Sequence, residues 1–390
     1  METMTPQPAS SFRSIPTESP QAQLDDLLTR ICEALQLSPS QHDLAVERYA
    51  AVGRWLAAPG SSLARFRPEI YPQGSLRIGT TTKPLKRQEY DLDAVAEFQV
   101  ATTAFPRPVI LLDLLEGRLL EHSQYSTMLE RKNRCIRLNY AKEFHIDFLS
   151  GCPDPRLGGT CLLVPDRSLG AWKESNPKGF ARWFDGVAES GFAFAEKAIE
   201  PVPDPEAVSE KAALRLVVQL LKRWRDVVFG AHEDLAPRSI LLTTLAATYY
   251  DRSSSTVDAV SGVLRGIVDA LPSGGAPLVV VNPTNRHEIL SECWEKYPQG
   301  YTLFVGRIQA LMVTWERLQA AGVGLPSVAA ILGKLFGEPV TQEALKAQAA
   351  SIQTLRESRS LGVQRGTGTL AALGSVHVKP VCSATIRTAG

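Results

Sequence analysis

The sequence predicts an α+β fold in which a mixed β-sheet with flanking helices is followed by a lobe of helices. Two patterns lead to this class. Short runs with strand-like alternation cluster between residues 71 and 149, whereas apolar residues recur at helical spacing from residue 209 onward. The chain has 390 residues, of which 44% are hydrophobic. That is enough for two ordinary domains or one elaborated one, with a sizeable core.

The first predicted elements are two helices, one of them long, between residues 21 and 59. Apolar residues recur at three- and four-residue spacing from Leu24 to Ile31, and a Ser-Pro-Ser break at residues 38–40 precedes the second helical pattern. Strands follow, together with one helix near residues 109–122. The clearest strands are predicted at residues 95–100, 134–140 and 144–148.

A segment rich in proline and glycine, residues 151–205, is predicted to be a long covering loop with short helices. Helical periodicity then dominates, and the short apolar run at residues 277–281 is predicted to be extended. From residue 359 onward the chain has no Asp or Glu and is rich in Gly, Ser and Thr, which favours a flexible tail. The later helices are predicted at residues 209–229, 239–250, 255–271 and 301–321.

Charge and cysteine content exclude several functional classes. Lys and Arg number 42 and Asp and Glu 41, so the net charge of +1 excludes a globally basic coat for nucleic acid. The six cysteines form no C-x-x-C pair, which argues against a zinc ribbon or a thioredoxin-like redox centre. No stretch approaches the ~18 apolar residues of a membrane span, and the first residues lack the apolar region of a secretory signal. A soluble cytoplasmic protein with no membrane partner is therefore expected.

Three short segments carry the residues suited to chemistry. They are the Gly74-Ser75 pair, the Asp91-Leu92-Asp93 motif that follows it, and Asp147 in a later predicted strand. Side chains two apart on a strand share a face, so the paired acids would lie side by side and repel each other unless a divalent cation lies between them. Mg²⁺ prefers such hard oxygen ligands and leaves positions open for substrate phosphates. Glycine allows close backbone approach, and the serine offers a hydroxyl and an amide to a phosphate.

Each of these motifs has a structural explanation when it is taken alone. A D-x-D pair can cap turns or meet Arg and Lys at a strand end, and an isolated Gly-Ser is usually a turn. Asp147 lies between apolar residues, where an unpaired carboxylate would be costly to bury, and a third ligand of the same metal site would explain it. The order of the three segments resembles that of the polymerase-β-like nucleotidyltransferases.

A more specific resemblance covers roughly residues 40 to 170. The string YPQGSLRIGTTTKPLKRQEYDLDAVAEF, followed by HIDFLSG and then VPD, resembles the bacterial CD-NTases. These are cyclic-oligonucleotide synthases of CBASS anti-phage signalling, related to cyclic GMP-AMP synthase and oligoadenylate synthase. The resemblance extends less specifically through LKRWRD, APRSILLTTLAATYY and the NP…W segment from Asn282 to Trp294 in the helical half. It implies a nucleotidyltransferase that joins nucleoside triphosphates, ATP or GTP, into a cyclic di- or trinucleotide that acts on a downstream effector.

The resemblance also implies roles for individual residues. Gly74 and Ser75 match the Gly-Ser pair that holds phosphate in the family. The metal-binding triad, which holds two Mg²⁺ ions, matches Asp91, Asp93 and Asp147, the last of which also faces the attacking hydroxyl. The implied organisation is a disordered N-terminus at 1–20, a nucleotidyltransferase core with N-terminal helices at 21–200, a helical lobe completing the active-site cleft at 201–358 and a flexible tail at 359–390.

In the helical half, Lys222 matches a lysine that contacts the donor triphosphate, and Ser239 matches a serine near the same phosphates. The sequence departs from the family at Ile240, where relatives commonly have an aromatic residue that stacks on the base. Lys222 also has a structural explanation, because basic residues favour the last turn of a helix. A cluster of basic residues that alternates with apolar positions is predicted to be a solvated sheet face; it contains Arg131, Lys132, Arg134, Arg137 and Lys142.

Two other functions remain open at this point. The same chemistry could add a nucleotide to an RNA end or a protein, although the near-neutral charge argues against an RNA channel. The fold could also be inactive and only bind nucleotides or a partner protein. The zinc insertion of the animal DNA sensor is absent, so activation by double-stranded DNA is not expected. In many CD-NTase systems the C-terminal residue is joined to a target by a ubiquitin-transfer-like partner, which implies Gly390 as a conjugation site.

Overall fold

The computed structural model describes residues 19–85, 90–141, 143–188, 199–320, 324–358, 361–364, 370–372 and 378–380. Within these ranges the chain forms a mixed sheet and a helical lobe, which confirms the predicted fold class. The helices are α1 Pro20–Leu35, α2 Pro39–Leu56, α3 Gly74–Arg77, α4 Val109–Leu120, α5 Pro177–Ala188, α6 Ala213–Val228, α7 Ser239–Thr248, α8 Thr256–Asp269, α9 Glu292–Lys296, α10 Pro298–Gln319, α11 Leu325–Phe336 and α12 Glu338–Glu357. The strands are β1 Pro68–Gln73, β2 Tyr90–Phe98, β3 Leu129–Arg131, β4 Cys135–Tyr140, β5 Phe144–Pro153, β6 Leu162–Asp166, β7 Ala171–Ser175, β8 Val281–Asn282, β9 Asn285–Ile289, β10 Leu361–Gln364, β11 Leu370–Ala372 and β12 Val378–Pro380.

The first two helices begin at serine caps, each followed by a proline at the first helical position. The Ser19 hydroxyl accepts a hydrogen bond from the Ala22 amide at 3.1 Å. At α2, the Ser38 hydroxyl accepts from the Gln41 amide, and the Gln41 side chain accepts from the Ser38 amide at 2.9 Å. This reciprocal capping box satisfies amides that the first turn leaves unpaired. The Ser-Pro break therefore starts the second helix at the predicted place.

The main sheet has the strand order β1-β2-β5-β4-β3, with β6 paired to the end of β5 and β7 paired to β6. The pairing of β2 with β5 is parallel, and the other neighbours in this sheet are antiparallel. The prediction of a covering loop with short helices at residues 151–205 is wrong for the end of β5 and for β6 and β7, which are strands, and it is correct for α5, which is a short helix. Glycines with positive φ mark the turns of a meander: Gly158 and Gly159 lie between β5 and β6, and Gly170, between β6 and β7, has a φ of 61°. The buried strand β6 has only five residues, which is too short to be recognised in the sequence between such turns.

The two largest apolar cores among the described residues support the two halves. The first lies between the sheet and helices α2 and α4, and the second fills the helical lobe. Helix α1 packs in the second core, against α6, α8 and α12, although it precedes the sheet in the chain. The domain limits at residues 200 and 358 remain a prediction. Helix α1 precedes the limit at residue 200 but packs with the helices that follow it.

The carboxy-terminal segment contains three short strands that pair as a separate antiparallel sheet in the order β11-β10-β12. The sequence predicts no regular structure there. Gly390 lies outside the described residues. None of the helices within the described ranges combines the length and the apolar character needed to cross a membrane.

Candidate active site

The three predicted acids lie together on two adjacent interior strands of the main sheet, β2 and β5. Asp91 and Asp93 share a face of β2, and β5 runs parallel to β2 with Asp147 in register beside Asp93. The Asp91 side chain is 62% exposed and that of Asp147 is 16% exposed, so the group extends from solvent into the fold. The parallel pairing therefore brings a residue of a later strand next to the D-x-D motif.

The electrostatics of this group favour a cation. Burial, together with the nearby carboxylates of Asp147 and Asp91, raises the pKa of Asp93 to about 7. Lys222 and Arg137 lower this pKa, but they do not offset the other effects. Three carboxylates held this close are costly in the ionised form unless positive charge lies among them.

Arg137 supplies part of that positive charge. It lies on β4 opposite Asp147, and its Nε and Nη2 atoms donate to the two Asp147 carboxylate oxygens at 2.7 and 2.8 Å. Its Nη2 also donates to Asp91 Oδ1 at 3.2 Å. The hydrogen bonds to Asp147 raise the pKa of Arg137 further above its usual value. The guanidinium thus bridges two members of the triad.

The predicted solvated basic face is therefore wrong for Arg137, whose side chain is only 20% exposed. Arg134 pairs with Asp166 at 2.7 Å, away from the triad, and Lys142 lies outside the described residues. The alternation of residues along β4 could have indicated Arg137, because it is one of the half-buried residues that lie on the face opposite the buried ones. The sequence does not show that β4 pairs with β5, and this pairing places Arg137 beside Asp147.

The chemistry of the three acids suits a divalent metal, although no group of three or more His, Cys, Asp or Glu side chains within the described residues is arranged to hold a metal ion as it stands. All three groups are carboxylates, the hard oxygen ligands that Mg²⁺ prefers. The Arg137 guanidinium lies between Asp91 and Asp147 as a stand-in cation. The residues that would hold a metal are therefore Asp91, Asp93 and Asp147.

The Gly-Ser pair lies directly beside the acids. Strand β1 ends at Gln73, which is in register with Asp93, and the short helix α3 begins at Gly74. Gly74 has a φ of 61°, and a Cβ placed there would lie 2.3 Å from Asp93 Oδ2. Ser75 lines the same cavity as the acids, and its hydroxyl accepts a hydrogen bond from Thr81 at 3.4 Å. Glycine is thus needed both for the backbone conformation and for the space.

Replacing Gly74 by alanine is expected to lower turnover about 100-fold or more, because the added methyl group displaces the Asp93 carboxylate. The fold should survive with a modest fall in Tm, since strained backbone costs about 1–3 kcal/mol. Initial rates of pyrophosphate release and thermal melts measure the two effects. Gly60→Ala is the matched control, because a Cβ at Gly60 meets nothing within 4 Å. Equal rates for the Gly74→Ala variant and the control would contradict this role of Gly74.

The opposite wall of the cavity carries basic groups on α6. Lys222 is 7% exposed, and its Nζ donates to the Thr80 carbonyl at 2.9 Å. Desolvation lowers the pKa of Lys222 to about 8, and the charge of Arg225 adds to this effect. Arg225, which the sequence analysis did not assign to the site, donates to the Ser239 hydroxyl at 2.7 Å. The i,i+3 spacing on α6 could have indicated that Lys222 and Arg225 share a face.

Seven of the eight predicted site residues line one cavity of about 460 Å³: Gly74, Ser75, Asp91, Asp93, Asp147, Lys222 and Ser239. Gly390, the eighth, lies outside the described residues. The cavity also contains residues from the hairpin of β8 and β9 and from the start of α5 that were not among the predicted site residues. They include Asn176, Asn282 and Glu288. The cavity thus has carboxylates, a Gly-Ser turn and basic residues around a space for a polyanionic ligand.

Known proteins are similar to this chain in both sequence and fold. The family model described as "Cyclic GMP-AMP synthase DncV-like, nucleotidyltransferase domain" matches residues 68–149. A c-di-GMP synthase of Roseivirga ehrenbergii is 30% identical over 355 residues, which cover 89% of this chain and 93% of that protein. The cyclic dinucleotide synthase CdnG of Bradyrhizobium diazoefficiens is 28% identical over 375 residues, 88% of each chain. The solved structure of that CdnG in complex with GTP matches with a TM-score of 0.68 and 26% identity, over 84% of this chain and 99% of that chain.

This sheet, with its acids beside a Gly-Ser turn, is that of a nucleotidyltransferase, and the protein is an enzyme of this class. The similarity extends over both the sheet and the helical lobe. The chain belongs to the bacterial CD-NTases, the DncV-like nucleotidyltransferases, as the resemblance predicts.

Proposed function

We propose that this enzyme joins two nucleoside triphosphates into a cyclic dinucleotide, with GTP as the favoured substrate. The observation that carries the proposal is the single cavity in which three carboxylates and a Gly-Ser turn face the basic residues of α6. The names of two relatives, a c-di-GMP synthase and a cyclic dinucleotide synthase, support the cyclic product. The GTP bound to CdnG supports guanine nucleotides as substrates.

The proposed reaction proceeds in two similar steps. A ribose hydroxyl of one nucleotide attacks the α-phosphorus of a second nucleoside triphosphate, and a new phosphodiester bond forms. The bond from the α-phosphorus to the bridging oxygen breaks, pyrophosphate leaves, and the hydroxyl proton is released. The linear intermediate then repeats the reaction between its own free hydroxyl and its remaining triphosphate, which closes the ring.

The side chains of this cavity bind and orient the substrates for both steps. The Ser75 hydroxyl and the amides of the Gly-Ser turn hold phosphate oxygens of the donor. Lys222 and Arg225 offset the charge of the triphosphate from the other wall, with Ser239 held by Arg225. Asp147 lies where it can face the attacking hydroxyl. Positioning and charge stabilisation supply most of the rate enhancement in such transfers.

The cofactor proposed for this site is Mg²⁺, as two ions held by Asp91, Asp93 and Asp147. The chemistry supplied by such ions, when bound, is the lowering of the hydroxyl pKa and the neutralisation of the leaving pyrophosphate. Arg137 also meets part of the charge of the triad, through its hydrogen bonds to Asp147 and Asp91.

Incubation of the purified protein with Mg²⁺ and the four nucleoside triphosphates, each labelled at the α-phosphate in turn, tests the proposal. A cyclic product keeps all of its label after phosphatase treatment because it has no terminal phosphate, whereas a linear dinucleotide loses the label at its 5′ end. Mass spectrometry then identifies the bases and the ring size. Nuclease P1 sensitivity reports whether the linkage is 3′-5′. Label that is incorporated only when RNA or protein is added would instead favour an acceptor of that kind.

We also propose that the product acts as a second messenger of anti-phage defence through a downstream effector, in the cytoplasm that supplies the nucleotides. Family membership supports this proposal. Conjugation at Gly390 by a ubiquitin-transfer-like partner belongs to the same proposal. Mass spectrometry of the synthase expressed with that partner should detect an isopeptide bond at Gly390, and the absence of any conjugate would count against it.

A further inference from the structure

A carboxylate on the hairpin of β8 and β9 is held in the wall of the nucleotide cavity. Glu288 lines the cavity together with Asn282, and the Asn282 Nδ2 donates to Glu288 Oε2 at 2.7 Å. The Asn282 side chain is itself fixed, because its Oδ1 accepts hydrogen bonds from the amide and the hydroxyl of Thr284, both at 2.9 Å. Asn282 is only 3% exposed. The carboxylate is therefore oriented before any ligand arrives.

The basic residues near Glu288 are paired with other acids. Arg134 donates to Asp166 at 2.7 Å, and Lys173 forms an ion pair with Glu292. Among the described residues, Asn282 alone hydrogen-bonds the Glu288 carboxylate. Burial is the main cause that raises the pKa of Glu288. A half-buried carboxylate with spare acceptor capacity gains free energy from N–H donors that a ligand brings.

The nucleobases differ in the donors that they can present to such a group. Guanine carries two N–H donors side by side on its Watson–Crick edge, at N1 and at the exocyclic N2, and an ionised carboxylate accepts two hydrogen bonds. Adenine and cytosine each place one amino donor next to a ring nitrogen acceptor, and uracil places its single N–H between two carbonyl acceptors. Against any of these three edges, a carboxylate would meet an acceptor and be repelled.

We propose that Glu288 reads the Watson–Crick edge of a guanine base and so makes this synthase prefer GTP. Its carboxylate accepts from guanine N1–H and N2–H, while Asn282 keeps it in position. The inference rests on the proposed function in one respect, namely that the cavity binds nucleoside triphosphates. Ile240 lines the same cavity and has no ring for base stacking, so edge recognition gives a route to base selection that stacking from this position does not.

The experiment compares binding rather than turnover, so that it does not depend on product formation. Calorimetry measures the affinities of GTP, inosine triphosphate and ATP, each as its non-cleavable α,β-methylene analogue with Mg²⁺. Inosine lacks the exocyclic N2, so the wild-type protein should bind its analogue about tenfold more weakly than the GTP analogue. The Glu288→Gln variant should lose this difference. Because a Gln amide can accept from adenine N6 and donate to N1, the ratio of GTP to ATP affinity should also fall about tenfold or more.

Two further variants make the test specific. Glu288→Asp keeps the charge, so it should retain the preference for the GTP analogue with weaker binding. Glu69→Gln makes the same change at a carboxylate that pairs with Lys178 at 3.4 Å and is not among the residues lining the cavity, so the ratios should be unaltered. Thermal melts of each variant establish that it is folded.

The possible outcomes separate the two claims. Equal affinities for the GTP and inosine triphosphate analogues in the wild type, or unchanged ratios in Glu288→Gln, would overturn the assignment of Glu288. If Glu288→Gln loses the preference for guanine but the wild-type protein releases no cyclic product, the role of Glu288 would be supported and the proposed function would be overturned. Failure of every analogue to bind would overturn both.

Discussion

Replacing Asp93 by asparagine is expected to lower pyrophosphate release from GTP by about 1,000-fold or more. The isosteric amide removes one of three adjoining carboxylates that would hold the metal, and about 1.4 kcal/mol of lost transition-state stabilisation corresponds to each tenfold. The double variant Asp91→Asn with Asp93→Asn should leave no measurable product from labelled GTP. Cyclic product formed by the double variant would overturn the assignment of this triad.

The same substitution should not weaken the fold. Asp93 is half-buried beside Asp147, and partial burial of like charges is unfavourable without a cation between them. In metal-free buffer Asp93→Asn is therefore expected to have a Tm equal to or above that of the wild type. A loss of activity together with a large fall in Tm would show that Asp93 acts through folding. Asp113→Asn is the control expected to change neither property, because the Asp113 side chain, which pairs with Arg131, is 49% exposed.

Replacing Asp185 by asparagine is expected to lower the free energy of unfolding by about 3–5 kcal/mol, because it removes the charge of a buried carboxylate that pairs with two buried arginines. Asp185, on α5, accepts from Arg77 of α3 at 3.0 Å and from Arg215 of α6 at 2.9 Å. The two arginines are 1% and 0% exposed. Asparagine has the same shape as aspartate, so the loss reflects charge and not a cavity. Urea denaturation and thermal melts measure it.

This network also connects the Gly-Ser turn to the helical lobe, since Arg77 follows Ser75 on α3. The KM for GTP is therefore expected to rise in Asp185→Asn even below the melting transition. Asp113→Asn again serves as the control, with a change within about 0.5 kcal/mol. An Asp185→Asn variant as stable as this control would mean that the two guanidinium groups are satisfied by other partners.

The sequence was sufficient where the chemistry is local. Strand alternation alone places Asp91 and Asp93 on one face, and the Ser-Pro break predicts the start of α2 because capping depends on the first turn only. It was insufficient where a long-range neighbour decides the environment. Arg137 has the same local pattern as a solvated basic residue, and it enters the site because β4 pairs with the strand of Asp147. The strands at residues 151–175 were missed because turn glycines and prolines obscured short buried runs.

By itself the sequence predicted the carboxylates of the candidate metal site, the Gly-Ser turn and the family, because motif order and local periodicity are properties of neighbouring residues. Only the tertiary structure decided which distant residues share the cavity. The parallel pairing of β2 with β5 brings Asp147 beside Asp93, packing of α6 against the core places Lys222 and Arg225 on the facing wall, and the β8-β9 hairpin adds Glu288. Such contacts join segments far apart in the chain, and their free energy comes from burial and pairing that no local pattern records.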